Sequence, residues 1–180
     1  SFHLLFGNNG EALRTGYYPD SHKLSQEGES SLLQYEDFSV RYGELLFDSS
    51  LTDVSFTKAF MDNGEYLFNS PFVSPHAKAH GILSIIREKE GCKIISLINM
   101  LLQKDAKWNE SKKEEPFCEA FEVSVKIPSS DYEAFASTPE APSMTLLPSK
   151  VQFVGTSMYL RFSSTSFSLW CLIVIRKKKS

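Results

Sequence analysis

Apolar positions change their period along the chain. Over residues 30–47, Leu32, Tyr35, Phe38, Tyr42, Leu45 and Leu46 recur at spacings of three and four, which gathers them on one side of a helix. Ser31-Leu32-Leu33-Gln34 fits a capping box at its start, and Asp48-Ser49-Ser50 ends it. Upstream, residues 2–6 are apolar and are followed by Gly7, Asn8, Asn9 and Gly10, then Tyr17-Tyr18-Pro19-Asp20, a strand leading into a long loop. Downstream the period becomes strand-like. Val54, Phe56 and Lys58 begin a strand, and Asp62-Asn63-Gly64-Glu65 reads as a turn. Residues 69–75 hold two prolines and read as an extended loop. Residues 82–88 and 93–102 form two strands joined by a tight hairpin at Lys89-Glu90-Gly91. Residues 103–116 are a charged loop. Residues 121–127 alternate apolar and polar as a half-buried strand does, and residues 132–136 read as a further strand. Val151 to Val154 and Met158 to Phe162 flank a Gly155-Thr156 turn, and residues 167–175 supply a closing strand. Short strands joined by turns predict an antiparallel β-sandwich. The helix face needs a partner surface.

Composition narrows the class. With 180 residues, 42% hydrophobic and 23% charged, the chain is globular rather than disordered. The net charge of −3 argues against a nucleic-acid partner, and the basic group Arg176 to Lys179 reads as a solvated end. The apolar run 167–175 falls well short of the roughly 20 residues of a spanning helix, so no membrane partner is expected. No secretory signal is visible, localisation is left open, and the absence of an initiating Met reads as a fragment. Cys92, Cys118 and Cys171 are odd in number and lack a CxxC pair, so they read as buried thiols, with neither a disulfide framework nor a zinc site. Asn109-Glu110-Ser111 is a glycosylation sequon, of consequence only in a secreted chain.

The chemistry of sites is sparse. There is no GxSxG elbow, P-loop or HExxH. His76 and His80 have the i, i+4 spacing of a helical metal pair, but Pro75 and Gly81 flank them without a helical pattern, so they read as an exposed loop and no metal or cofactor is expected. Glu88, Glu90, Glu114 and Glu115 sit where solvated charge is the usual explanation, and nothing identifies the two carboxylates that a glycosidase holds astride the scissile bond. Tyr17, Tyr18 and Trp108 lie in polar loops, where an aromatic ring either stacks on a sugar or packs down as a lid.

Read in order, these segments resemble the C-terminal part of glycoside hydrolase family 66, the dextranases and cycloisomaltooligosaccharide glucanotransferases. His3-Leu4-Leu5-Phe6-Gly7 and Tyr17-Tyr18-Pro19 resemble the family's last barrel strand and the loop after it. Leu33 to Phe38 and Tyr42 to Asp48 resemble the following helix. Ser96-Leu97-Ile98-Asn99-Met100-Leu101 with Trp108-Asn109, Val123 to Lys126, and Trp170 to Ile175 resemble later strands. The resemblance implies residues 1–50 as the last strand, loop and helix of a (β/α)₈ barrel, and residues 51–180 as a C-terminal β-sandwich. It implies a parent enzyme of retaining mechanism acting on α-1,6-linked glucans, whose aspartate nucleophile and glutamate acid/base would lie upstream of Ser1. This chain then has no catalytic residue and is inactive alone, with the missing barrel as its partner in cis and an α-glucan or isomaltooligosaccharide as ligand. Barrel active sites lie on the loops after the strands, so His3, Asn8, Tyr17 and Tyr18, together with Trp108, are the candidate substrate contacts. Leu5 and Gly16 replace acidic residues of the family pattern, and Cys171 replaces the acid after the tryptophan. A stand-alone carbohydrate-binding module and a structural or protein-interaction sandwich are the alternatives.

Overall fold

The computed structural model describes residues 26–59, 64–102 and 116–178. Among the described residues, two helices, α1 (Gln26–Arg41) and α2 (Gly43–Phe47), precede eleven strands: β1 (Thr52–Asp53), β2 (Tyr66–Phe68), β3 (Val73–Ser74), β4 (Ile82–Lys89), β5 (Cys92–Asn99), β6 (Glu122–Lys126), β7 (Tyr132–Ser137), β8 (Thr145–Leu147), β9 (Ser149–Val154), β10 (Ser157–Ser163) and β11 (Trp170–Lys177). They form two sheets. The larger runs β1-β4-β5-β11-β7-β8, with β3 also on β4, and the smaller runs β2-β6-β10-β9. All pairings are antiparallel except the short β3–β4 contact. The protein is mainly β, an antiparallel sandwich.

Strand periodicity sorts side chains between layers. Between the sheets lie Ile95, Leu97, Cys171, Ile173 and Ile175 of the larger sheet and Tyr66, Val123, Val125, Leu160 and Phe162 of the smaller. The alternate residues of β5 and β11, Ile94, Trp170, Leu172 and Val174, point the other way and meet Phe38, Tyr42 and Leu46 of the helices. The two central strands are therefore covered on both faces, which is why their sequences read as continuous apolar runs rather than alternating ones. The helix face finds its partner here, on the outer surface of the larger sheet.

Three local expectations are corrected. α1 begins at Gln26, so Ser31 lies within the helix and not at its cap; the Gln34 side chain donates instead to the Pro139 carbonyl at 3.0 Å. The helical stretch is broken at Tyr42, between α1 and α2. After β1 the chain turns rather than continuing as a strand through Val54, Phe56 and Lys58. Asp53 Oδ1 accepts from both the backbone N–H and the hydroxyl of Ser55, at 2.9 and 2.7 Å, and the Ser55 hydroxyl takes the Ile86 N–H at 2.8 Å. This Asx-type arrangement gives the backbone an alternative to the ladder. The hairpins at Gly91 and Gly155 form as expected, with these residues at φ +69° and +59°, where a side chain would be strained. Residues 62–63 of the expected turn lie outside the described residues.

Candidate functional site

The residues expected to face a sugar, His3, Asn8, Tyr17, Tyr18 and Trp108, lie outside the described residues, as does the sequon at Asn109. What the structure does describe is the frame next to two of these segments. At the end of β5, Asn99 is buried and its Oδ1 accepts the Leu101 N–H at 3.0 Å, while the Asn99 and Met100 N–H groups donate to the Leu169 and Gly81 carbonyls. These bonds fix the chain where it leaves the sheet after Asn99.

The second frame is the joint between helix and sandwich. The Phe38 ring meets Trp170 edge-on at 5.0 Å and Tyr42 at the same distance. The Trp170 indole N–H donates to the Ser96 hydroxyl at 2.6 Å, so its one polar atom is satisfied inside an apolar layer. Tyr42 donates its hydroxyl proton to the Pro142 carbonyl, and Arg87 donates to the Leu46 carbonyl at the end of α2. Lys89 pairs with Asp48 at 3.1 Å. Helix, loop 138–144 and sheet are thus held by aromatic packing and by hydrogen bonds to backbone groups that have no ladder partner.

A polar cluster joins the two sheets at one end. Glu88 of β4 receives Lys58 Nζ on one carboxylate oxygen and Lys93 Nζ on the other, each at 2.6 Å, and the Tyr66 hydroxyl of β2 donates to it at 2.5 Å. Lys58 also reaches Glu65 at 3.5 Å, and the Lys93 ammonium lies 5.1 Å from the centre of the Tyr66 ring. Burial pushes the Glu88 carboxyl up, but the hydrogen bonds from Lys58, Lys93 and Tyr66 outweigh it and hold the carboxyl below its ordinary value. The Glu88 contact raises Lys58, and burial followed by Glu88 raises Tyr66. A glycosidase acid needs a raised pKa and a free oxygen aimed at its substrate. Glu88 has the opposite shift and both oxygens engaged, so the cluster is a clamp. The reading of Glu88 as solvated charge is corrected: it is half-buried on β4 and faces Lys93 across the Glu90-Gly91 hairpin, a pairing that follows from the hairpin register. Lys58 and Tyr66 arrive from other elements and carried no such signal.

The remaining candidates separate. His76 lies edge-on to Phe56 at 5.0 Å, while His80, at φ +55°, places Nδ1 2.7 Å from the Leu101 carbonyl oxygen. Neither is helical. Among the described residues, no group of three or more His, Cys, Asp or Glu could hold a metal ion. All three cysteines are free, Cys118 and Cys171 buried and Cys92 half-buried. Burial pushes the Cys118 thiol up to about 11 and raises Cys92 and Cys171 as well, so none is a ready thiolate nucleophile at neutral pH. No helix among the described residues is long and apolar enough to cross a membrane.

Fold and frame together define a helix-backed antiparallel sandwich module. The family model for glycosyl hydrolase family 66 matches residues 1–174, and the chain belongs to that family. Among solved structures, it is similar to the cycloisomaltooligosaccharide glucanotransferase of Paenibacillus sp. complexed with cycloisomaltoheptaose, with a TM-score of 0.72 and 18% identity over 89% of this chain and 23% of that one. A weaker likeness, TM-score 0.38 at 14% identity over 86% of this chain and 19% of the other, is to alpha-L-fucosidase isoenzyme 2 of Paenibacillus thiaminolyticus. No curated protein matches the sequence. The chain therefore spans about a quarter of the glucanotransferase whose fold it shares.

Proposed function

We propose that this chain is the non-catalytic C-terminal portion of a family 66 enzyme acting on α-1,6-linked glucans, with residues 1–50 as the end of its (β/α)₈ barrel and residues 51–180 as a sandwich that supports the barrel and binds glucan. The observation that carries the reading is the seat of α1 on the sandwich. Phe38, Tyr42 and Leu46 share one buried cluster with Ile94, Trp170, Leu172 and Val174. A barrel ending in this helix would be tied to the sandwich through a common core rather than through a loose linker. The Paenibacillus structure, which carries a cyclic isomaltooligosaccharide, supports the choice of ligand class. Glucan contact is assigned to His3, Asn8, Tyr17, Tyr18 and Trp108.

A thermal melt of the purified chain with and without isomaltooligosaccharides tests glucan binding, because a ligand that binds only the folded state raises the midpoint. A dose-dependent rise that is lost in Tyr17→Ala and Tyr18→Ala is expected. A cooperative melt with no shift would leave a structural or protein-interaction sandwich, a second reading favoured by the exposed apolar residues Val151, Phe153 and Val154 on edge strand β9.

A further inference from the structure

The smaller sheet ends in an unprotected edge. Alternate residues of a strand aim their N–H and C=O groups at opposite neighbours. The Met158 carbonyl accepts from the Ile127 N–H and the Ser164 N–H donates to the Phe121 carbonyl, so Met158, Leu160 and Phe162 bond toward β6. Ser157, Tyr159 and Arg161 therefore bond toward β9, where their partners are Val154, Gln152 and Lys150. That leaves the N–H and C=O groups of Ser149, Val151 and Phe153 aimed away from the sheet, because β9 is the last strand of its order among the described residues. Val151 and Phe153 also stand in the core-facing register, opposite Leu160 and Met158, yet they are 38% and 65% exposed. An edge with free backbone groups, an uncovered apolar row and Lys150 as its one charge invites another strand. We propose that β9 pairs antiparallel with β9 of a second copy of this chain, about a twofold axis through Gln152, an inference independent of the glucan reading.

The edge is complementary to itself. A twofold axis perpendicular to the sheet keeps both core-facing rows on one side and passes through an opposed pair of identical residues. Centring on Lys150 sets the two ammonium groups face to face, and centring on Val151 leaves them on a diagonal of about 7–8 Å. Centring on Gln152 moves them about 14 Å apart, beyond the Debye length of about 8 Å. Each Lys150 then lies opposite an exposed Val154, which its alkyl stem can cover. Arg161, the next cation inward, is already paired with Glu122. The free backbone groups of Val151 meet those of Phe153 on both sides of the axis, and their side chains close the apolar row. Gln152 meets Gln152, and a side-chain amide both donates and accepts. The interface is one strand from each copy, at the small end for specific contacts, so the dimer is expected to depend on concentration.

Sedimentation of the whole chain from micromolar to millimolar concentration tests the proposal. The expected mass rises toward that of two chains. Val151→Pro removes a donor that β10 does not use, and association about tenfold weaker or more is expected, with the far-UV spectrum unchanged. Phe153→Lys, an exposed position, should weaken it as well and serves if the proline variant does not fold. Across the axis, the two Gln152 Cα atoms form a non-hydrogen-bonded pair about 4.5 Å apart, within reach of a disulfide. Oxidation with diamide should therefore cross-link Gln152→Cys into a covalent dimer, and Lys150→Cys no more than the parent. A chain that stays monomeric throughout overturns the proposal. So does a dimer that survives both edge substitutions, or cross-linking that is equal at the two positions, because either would place the contact elsewhere.

Discussion

Trp170 shows how one side chain can join two layers. Its ring packs against Phe38 on the helix side of the larger sheet, and its N–H is satisfied by Ser96 on the neighbouring strand β5. Ser96→Ala leaves a buried donor without its partner, and a loss of about 1–3 kcal/mol is expected; a denaturant midpoint unchanged from the parent would contradict the role given to this bond. Glu88 makes a second, pH-dependent prediction. Its folded-state pKa is depressed, so its contribution is complete above the unfolded value of about 4.3 and disappears as pH falls through the lower folded value. Glu88→Gln should therefore be less stable than the parent at neutral pH by about 2 kcal/mol, with the difference shrinking on acidification below about pH 4. Melting curves at a series of pH values would show the two proteins converging; parallel curves would mean that the carboxylate charge is not what the clamp uses.

At the scale of elements, the long strands were legible and the short ones were not. β5 and β11 announce themselves as apolar runs because they are buried on both faces, and β6 by clean alternation because Val123 and Val125 alone point inward. β2, β3 and β8, of two or three residues each, are shorter than any period that could reveal them. The start of α1 was misplaced for a different reason. Ser31 and Gln34 satisfy the capping-box pattern, yet the amide of Gln34 is recruited by Pro139, more than a hundred residues away, a contact no local pattern encodes. The same loop receives Tyr42, so Tyr42→Phe should loosen the helix at its sheet contact at a cost of about 1 kcal/mol. Hydrogen exchange would then be faster in α1 and unchanged in β5 and β11; uniform acceleration across the sheets would show that the helix and sandwich do not open separately.

For the whole molecule, order along the chain carried more than any one motif. The segments around Phe38, Ile98-Asn99 and Trp170 are individually ordinary, but their succession pointed to family 66, and the family model matches across residues 1–174. The three segments meet in space: Phe38, Ile98 and Trp170 belong to the same helix–sheet cluster. The residues proposed to contact a sugar follow from loop aromatics and from the resemblance, and they fall outside the described residues. The central claim is that this chain supports a glucan-acting barrel and does no chemistry of its own. Release of reducing sugar from dextran by the purified chain, shown to be folded by a cooperative melt, tests it most directly. The account predicts no release above a protein-free control, whereas sugar release that scales with chain concentration would place an acid/base pair within these 180 residues and contradict it.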